Sequence, residues 1–333
     1  MNNRSYHIVI LLFLLLSGCS YKKERLNVDV SKIQAGDIKI HRYDLDLFKV
    51  QPDNLKQGLQ AIQHEYYFFL GTNLNDPAKL DQMRNYLQSP RNVEFQREAA
   101  ARYKNMTATE IELTSLFRHY KYYFHDVKIP RVYTYISGGD YENQVRLADS
   151  VMIIAIDTYL GKDFKPYLAD GIPIYKAERM TSDNIVPDAA RELVNSVFSP
   201  DPSLMTLLDH MIEAGKRLYL LKALIPDTPE NLLLGYSRQK YDWIKKNESH
   251  IWAAVIENRM LFSGSQELMQ TFFADGPCTP DFSAESPPRL GEWVGFRIVE
   301  DYMRNNPDVS INELIKEKDT QRMLSLSGYK PEK

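Results

Sequence analysis

Two short apolar runs rich in β-branched and aromatic residues stand out, because most of the chain around them has helical periodicity. The runs are 131–136 and 151–156, and glycine follows each of them closely, as is common where a strand leaves a sheet. The second run is apolar throughout, which predicts a strand that is buried on both faces. Partial alternation of apolar and polar residues over 38–47 predicts a further strand.

The helical patterns and their start signals predict the fold class. Helical periodicity covers 55–120 and nearly all of the chain beyond residue 185. Further helix starts are indicated at Pro187, at Asp201-Pro202, at Thr228-Pro229, and at the capping box of Ser310 and Glu313 before a last helix. No internal repeat divides the chain. We therefore expect an α+β fold, mostly helical with a small mixed β-sheet, in a single domain over 37–333.

The first residues form a leader typical of secreted proteins. Arg4 gives it a positive start, and the nine apolar residues at 8–16 are too few to span a hydrocarbon core of about 30 Å. The sequence Leu16-Ser17-Gly18-Cys19 resembles the bacterial lipobox, in which the cysteine thiol receives a diacylglycerol and the signal is cut before it. This predicts a lipoprotein signal peptide at 1–18 and a lipidated tether at 19–36.

The residues after Cys19 indicate which membrane carries the anchor. Ser20 is not the aspartate that typically retains lipoproteins at the inner membrane. The stretch 21–25 is basic, whereas an acidic cluster there marks lipoproteins that some Gram-negative lineages export to the cell surface. We expect lipid anchoring through Cys19 on the periplasmic face of the outer membrane. An ordinary signal peptide with a chance cysteine is the alternative.

Charge and cysteine content exclude several classes of function. The 333 residues include 41 Lys and Arg against 44 Asp and Glu, and removal of the leader leaves 40 against 44, a net charge of −4. A protein that binds nucleic acid usually has an excess of basic residues, and this chain has none. Two cysteines are too few for a disulfide framework or a thiolate zinc cluster. The sequence also lacks the phosphate-loop, dinucleotide and serine-hydrolase motifs.

Isolated histidines and one cysteine form no recognisable catalytic arrangement. His64-Glu65 begins like a His-Glu-x-x-His motif but lacks the second histidine. His119 and His125 are six residues apart, which places them about 240° apart around a helix. Cys278 has no histidine partner that the sequence identifies. We interpret all of these as ordinary structural residues.

The segment 185–195 has the spacing of a zinc-peptidase helix without its ligands. Its apolar residues share one broad face at about 100° per residue. Zinc hydrolases of the His-Glu-x-x-His type place two imidazoles on adjacent turns and use the glutamate as general base. Here Arg191 and Asn195 stand at the histidine positions around Glu192, and arginine cannot deprotonate to bind a metal. We interpret the Arg191–Glu192 pair as a structural replacement for the metal; an ordinary amphipathic helix is the alternative.

Longer segments of the C-terminal half, together with the lipobox and the predicted strand near 40–48, resemble the gliding-motility lipoprotein GldB family. The segments are 204–224, which contains Asp209-His210-Met211-Ile212-Glu213-Ala214-Gly215-Lys216, 241–244, 251–263, and 285–299, which contains Gly291-Glu292-Trp293-Val294-Gly295-Phe296-Arg297. The resemblance covers nearly all of the mature chain. It implies a periplasmic outer-membrane lipoprotein that assists gliding motility and the coupled secretion machinery, or envelope maintenance in bacteria that do not glide.

That family is similar in turn to zinc-dependent peptidases of the gluzincin type, so the resemblance also implies a zincin-like domain. In those peptidases a second helix carries the third zinc ligand in a Glu-Gly-x-Ala-like motif. The matching position here is Glu213, one turn after His210, although the motif reads Glu-Ala-Gly. One carboxylate and one histidine are too few for a closed or catalytic zinc site. We therefore expect no metal and no other cofactor.

Three hypotheses of function follow from these residues. The first is a non-catalytic pseudo-peptidase, a scaffold that binds an envelope protein or a peptide by strand addition or in the former cleft. The residues of this degenerate site are Arg191, Glu192, Asn195, His210 and Glu213. In the segment 285–299, three residues spaced at i, i+4 and i+8 would form a row along one face of a helix. This row either forms a face that binds a partner or only packs the helix against the core; its members are Arg289, Trp293 and Arg297. The second hypothesis is an active metal-dependent peptidase with an atypical ligand set, and the third is a purely structural tether.

Overall fold

The computed structural model of the protein describes residues 25–199 and 201–331. The leader and the predicted lipidation residue Cys19 lie outside the described residues. None of the helices in the described ranges combines the length and the apolar character that a bilayer span requires.

Four strands form one mixed sheet. In chain order they are β1 (Ile40–Arg42), β2 (Arg131–Tyr135), β3 (Val145–Ala148) and β4 (Val151–Ala155). Their spatial order is β1-β2-β4-β3, in which β1, β2 and β4 are parallel and β3 runs antiparallel to them at one edge. The predicted strands at 131–136 and 151–156 are confirmed, and so is the α+β class.

β4 is buried on both faces, as its apolar sequence predicts. Met152 and Ile154 lie in the main hydrophobic core, which contains most of the apolar residues of the C-terminal half. Val151 and Ile153 point the other way and pack against a second core, formed largely by residues of 43–87. The sheet therefore separates two layers of helices.

Two features of the sheet differ from the prediction. The strand predicted over 38–47 ends at Arg42, because the chain turns into a helix there and Arg42 pairs with Asp44 at 2.7 Å. β3 was not predicted, since four residues are too few to show a period. It is held by antiparallel pairing with β4 across a tight turn, in which Asp149 has a φ of 49°.

Sixteen helices form most of the remaining described chain. They are α1 (Tyr43–Asp46), α2 (Leu55–Ile62), α3 (Tyr67–Leu70), α4 (Pro77–Gln88), α5 (Pro90–Arg102), α6 (Thr107–Tyr123), α7 (Lys165–Ala169), α8 (Ile174–Ala177), α9 (Ile185–Val197), α10 (Leu207–Leu224), α11 (Glu230–Leu234), α12 (Arg238–Glu257), α13 (Gln266–Phe273), α14 (Leu290–Asn305), α15 (Ile311–Lys316) and α16 (Thr320–Ser327).

The helix starts follow the sequence signals only in part. Ser310 and Glu313 form the predicted capping box, but α16 follows that helix, so it is not the last. α9 begins two residues before Pro187. Asp201 lies in a turn, because α10 begins later and is capped by Thr206.

The described part of the predicted tether packs against the domain. The Arg25 guanidinium donates to the backbone carbonyl oxygens of Met303 in the last turn of α14 and of Asn306 and Val309 just after it. Leu26 is buried in the main core. The folded domain therefore includes residues 25–36, which the sequence assigned to the tether.

α10 and α14 cross with their backbones in contact. A Cβ at Gly295 would lie 1.6 Å from the carbonyl oxygen of Met211, and a Cβ at Gly215 would lie 2.1 Å from the carbonyl oxygen of Gly295. No side chain fits at either position, so glycine is required for this close approach. The crossing fixes α14 against α10 within the main core.

Candidate functional site

α9 buries the apolar face that its sequence predicts and lies against the edge strand β3. Its buried residues include Val186, Ala190, Leu193 and Val194. The residues left on its polar side include Asp188, Arg191, Glu192 and Asn195. The predicted degenerate site therefore begins on a helix that the core holds rigidly.

Arg191 pairs with Asp188 and not with Glu192. Its Nη1 lies 2.5 Å from Asp188 Oδ1, and its Nη2 donates to the carbonyl oxygen of Leu233 at 2.8 Å. The predicted Arg191–Glu192 pair is wrong, because adjacent residues diverge by about 100° around a helix whereas residues i and i+3 meet. Tyr159 donates to the other oxygen of Asp188 at 2.9 Å. Burial raises the pKa of Asp188, although the Arg191 charge and the Tyr159 hydrogen bond oppose this shift.

Glu192 faces the edge of the sheet. Asn195 Nδ2 donates to Glu192 Oε1 at 3.4 Å, and the backbone amide of Leu147 in β3 also stabilises the charged carboxylate. Burial nevertheless raises the pKa of Glu192. An edge strand exposes unpaired backbone groups, and here a glutamate side chain satisfies one of them.

Glu213 joins this cluster through Arg217, a residue that the sequence analysis did not single out. Arg217 Nη1 donates to Asn195 Oδ1 at 3.2 Å, and its Nη2 lies 3.4 Å from Glu213 Oε1. Burial raises the pKa of Glu213, and the Arg217 charge opposes the shift. The i, i+4 spacing of Glu213 and Arg217 was a signal that could have identified the pair.

His210 contacts a different part of the molecule. Its ring packs against Phe273, with the ring centroids 6.0 Å apart. The structure therefore links three of the five residues of the predicted degenerate site through Arg217. It places the fourth, Arg191, beside Asp188, and the fifth, His210, against an aromatic ring.

A polar cavity of about 220 Å³ lies beside the first turn of α9. Four basic side chains line it, namely Lys176, Arg179, Arg191 and Arg289, and Asp188 is the acidic residue in its wall. Arg191 belongs to the predicted degenerate site and Arg289 to the predicted partner face. Two residues that were singled out for separate reasons therefore line one cavity, which we call the basic cavity.

Three of the four cations also have carboxylate partners that do not line the basic cavity. The pairs are Arg179–Asp275 at 2.6 Å, Lys176–Glu142 at 2.7 Å and Arg289–Glu292 at 3.0 Å. These carboxylates hold the cationic groups in position. Together with Asp188, which pairs with Arg191, these carboxylates balance all four cations. Lysine and arginine carry several donors each, so a carboxylate of a partner would have to share the cations with the pairs already present.

Arg289 is the most constrained of these residues. It precedes α14 in the left-handed conformation, with a φ of 57°, and its guanidinium lies over the Tyr236 ring at 5.6 Å. Its Nη2 donates to the carbonyl oxygen of Leu234 at 2.6 Å. Its Nε is buried and makes no hydrogen bond among the described residues, but it lies 3.6 Å from Asp275 Oδ1, within ion-pair distance.

Trp293 does not contribute to a surface. It is only 1% exposed, and its ring packs against Tyr241 with the centroids 5.9 Å apart. Trp293, the central residue of the predicted partner face, therefore cannot contact a partner, because its indole lies in the core between α14 and α12. The alternative, that the row packs the helix, describes Trp293 correctly.

Arg297 belongs to a half-buried network of charges. It pairs with Glu300, and its Nε lies 3.6 Å from Glu248 Oε1. Lys222 continues the network, since its Nζ lies 2.8 Å from Glu300 Oε1 and 2.6 Å from Glu230 Oε1. The network joins α10, α11, α12 and α14, so its first role is to hold these helices together.

A larger groove of about 690 Å³ lies on the opposite face of the sheet from α9. Its wall is mainly apolar and aromatic, and includes Tyr43, Phe69 and Tyr135. Arg146 of β3 lies at its rim. No residue of the predicted site or of the predicted partner face lines this groove.

Arg217 connects Asn195 and Glu213, two residues of the predicted degenerate site. Among residues 25–199 and 201–331, no three side chains of His, Cys, Asp or Glu come together in an arrangement that could hold a metal ion.

Comparison with known proteins identifies one family. The family model described as gliding motility protein GldB, which is labelled as a lipoprotein family, matches residues 23–331. No curated protein and no solved structure matches the chain. The zincin-like fold therefore stays a prediction. Because the matched range covers nearly the whole sequence, the chain belongs to the family of the gliding motility protein GldB.

Proposed function

We propose that this lipoprotein is a non-catalytic scaffold on the periplasmic face of the outer membrane. It is anchored through lipid on Cys19 and supports the motility and secretion machinery, or envelope maintenance, by binding an acidic protein or peptide partner. The basic cavity is the binding site. The observation that supports this most is the convergence of Arg191 and Arg289 with Lys176 and Arg179 around one polar space.

A carboxylate is the ligand chemistry that fits this cavity best. Arginine presents a planar fork of donors that matches a carboxylate, and such charge-assisted hydrogen bonds are stronger than neutral ones. The Nε of Arg289, which lies 3.6 Å from Asp275 Oδ1 and makes no hydrogen bond among the described residues, adds a donor close to this space. The volume of about 220 Å³ suits one or two acidic side chains of a partner better than a large cofactor.

The same residues argue against peptide-bond hydrolysis at this site. A guanidinium does not deprotonate in proteins, so Arg191 cannot replace an imidazole as a zinc ligand. Glu192 would have to act as general base, yet its carboxylate already contacts Asn195 and the Leu147 amide. An arginine that is held by Asp188 serves better to recognise an anion than to catalyse a reaction.

An active peptidase with an atypical ligand set is the second candidate. It would use Glu213, together with His210 and a further ligand from elsewhere. The ring contact of His210 with Phe273 and the ion pair of Glu213 with Arg217 do not favour this arrangement. Measurement of the metal content separates the two candidates.

In-cell photocrosslinking tests the partner site. p-Benzoylphenylalanine replaces Tyr141, which lines the basic cavity, or Phe68, which lines the aromatic groove. We expect a discrete crosslinked partner from position 141 only. Each charge-assisted contact of about 1.4 kcal/mol that is removed lowers affinity about tenfold, so Lys176→Gln with Arg179→Gln should abolish the product.

Two outcomes of this experiment would overturn the proposed site. One is a crosslink from position 141 that the double substitution leaves unchanged, which would mean that the cations do not bind the partner. The other is a discrete product from position 68 alone, which would move the binding site to the aromatic groove.

Metabolic labelling with radioactive fatty acid tests the anchor. Cys19→Ser should abolish incorporation of label, and the wild-type protein should fractionate with the outer membrane. Cys278→Ser is the matched control, because it removes the one free cysteine of the described residues and should leave labelling unchanged. Undiminished label in Cys19→Ser would contradict lipid anchoring at this residue.

A further inference from the structure

The N-terminal segment is attached to the domain along its length. Arg25 donates to three carbonyl oxygens at the C-terminal end of α14 and just beyond it, and Leu26 is buried. Farther along, Lys121 donates to the carbonyl oxygen of Gln34 at 2.8 Å. The backbone amide of Ile38 then donates to Thr114 Oγ1 on α6 at 3.1 Å. The attachment of the chain to the domain therefore extends at least to Arg25 and does not begin at residue 37.

The distance from Arg25 to the lipidated residue is short. Six residue steps separate Cys19 from Arg25, and a fully extended chain of that length spans at most about 20–22 Å. A domain of this size has a radius of gyration of about 20 Å and thus a diameter of about 50 Å. The surface around Arg25 therefore cannot turn away from a membrane in which Cys19 is anchored.

The contacts of Arg25 identify that surface. The C-terminal ends of α6 and α14 meet there, since Asn312 at the start of α15 donates to the carbonyl oxygen of Tyr123 at 3.3 Å. We call this region the anchor face. Tyr122 is 36% exposed at the end of α6, and tyrosine is enriched at membrane interfaces. Lys22 and Lys23 lie between Cys19 and Arg25 in the sequence and add positive charge toward anionic lipid.

We infer that the short attached N-terminal segment fixes the orientation of the domain on the membrane, with the anchor face against the lipid headgroups. This inference rests on the proposed lipidation of Cys19. Arg289 lies at the opposite end of α14, sixteen residues before Asn305, which is about 24 Å along the helix axis. The basic cavity is thereby held about one helix length from the anchor face, on the part of the domain that a periplasmic partner can reach.

Fluorescence quenching by nitroxide-labelled phospholipids in vesicles tests the orientation. The full-length lipidated protein carries Cys278→Ser and a fluorophore on Tyr122→Cys or on Ala108→Cys, two exposed positions at opposite ends of α6. Fourteen residues of helix separate them by about 21 Å, so we expect about threefold stronger quenching at position 122.

A linker variant tests whether the short segment is the cause. Insertion of thirty Gly and Ser residues after Glu24 gives a mean end-to-end distance of about 30 Å, and the difference between the two positions should then disappear. Equal quenching in the parent protein, or a difference that survives the insertion, would overturn the inference. Protein that fails to float with the vesicles would instead contradict lipidation of Cys19, and the orientation with it.

Discussion

The two ends of α14 differ in how their polar groups are satisfied. At its start, Arg289 is held in a left-handed conformation and its cationic side chain lines the basic cavity, where its Nε makes no hydrogen bond among the described residues. At its end, the Arg25 guanidinium donates to the carbonyl oxygens of Met303 and Asn306, which a helix C-terminus leaves free. At the first end a cationic side chain lines a cavity, and at the second end another part of the chain satisfies the free carbonyl oxygens. The difference supports the proposal that the first end binds a partner, whereas the second end is where the N-terminal segment is attached.

The largest expected effect is at the crossing of α10 and α14, which lies between the two ends of α14. Gly295→Ala places a Cβ 1.6 Å from the Met211 carbonyl oxygen, so the two helices must separate. We expect a loss of about 3 kcal/mol or more in the free energy of unfolding, measured by chemical denaturation. Gly276→Ala is the control, since its Cβ meets only an ordinary contact at 3.7 Å. Equal stability of the two variants would contradict the close crossing.

The charge network in the middle of α14 should give the next largest effect. Lys222→Met leaves Glu230 and Glu300 without their shared cation, and we expect a destabilisation of about 2–3 kcal/mol. Arg238→Met removes the exposed pair with Asp242 and should cost at most about 0.5 kcal/mol. Thermal denaturation of both variants measures the difference. If the two variants have the same melting temperature, the network stabilises the fold no more than an exposed ion pair does.

Two glutamates should show opposite dependence on pH. Burial raises the pKa of Glu213 above its ordinary 4.5, so its protonated form stabilises the fold at low pH and that contribution is lost as the pH rises through the raised pKa. Glu213→Gln should therefore be more stable than wild type near pH 7, and the advantage should fade as the pH falls through the raised pKa toward 4.5.

For Glu230 the sign is reversed. Burial raises its pKa, but the hydrogen bonds from Lys222 and Tyr241 outweigh this effect and lower the pKa overall. Its stabilisation is present at neutral pH and is lost as the pH falls through the lowered pKa, so Glu230→Gln should be less stable than wild type near pH 7. Urea denaturation of both variants across the pH range would detect the opposite slopes. Parallel slopes would contradict these assignments.

The smallest expected effect is at the C-terminal end of α14, where the N-terminal segment is attached. Arg25→Ala removes hydrogen bonds to carbonyl oxygens on an exposed part of the surface, so we expect a loss of about 1 kcal/mol in the free energy of unfolding. Limited proteolysis should cut the variant faster after residues 22–25, while the rest of the domain stays intact. Lys32→Ala is the control. Identical cleavage of both variants would show that Arg25 does not hold the segment.

The sequence predicted those parts of the fold that have a strong local signal. The apolar run of β4 and the amphipathic face of α9 are long enough to show their periods, and both are confirmed. β3 was missed because its four residues gain their strand geometry from pairing with β4. The attachment of Arg25 was missed because backbone carbonyl oxygens accept its hydrogen bonds, and these leave no pattern in the sequence.

The candidate site was predictable in its members but not in its grouping. Arg191 and Asn195 were identified from motif spacing, and Glu213 from the family resemblance. Arg191 pairs with Asp188 three residues before it, and Glu213 pairs with Arg217 four residues after it. The meeting of Arg191 with Arg289 could not be predicted. It depends on how α14 crosses α10 at two glycines, which is a long-range packing result.

Metal analysis of the full-length protein tests the central claim most directly. The protein is purified without chelator, incubated with zinc, desalted and measured by inductively coupled plasma mass spectrometry, with peptide cleavage followed in parallel. With a guanidinium in place of an imidazole, the account predicts less than about 0.1 zinc per chain and no cleavage. About one zinc per chain, lost to chelator together with peptide cleavage, would contradict it.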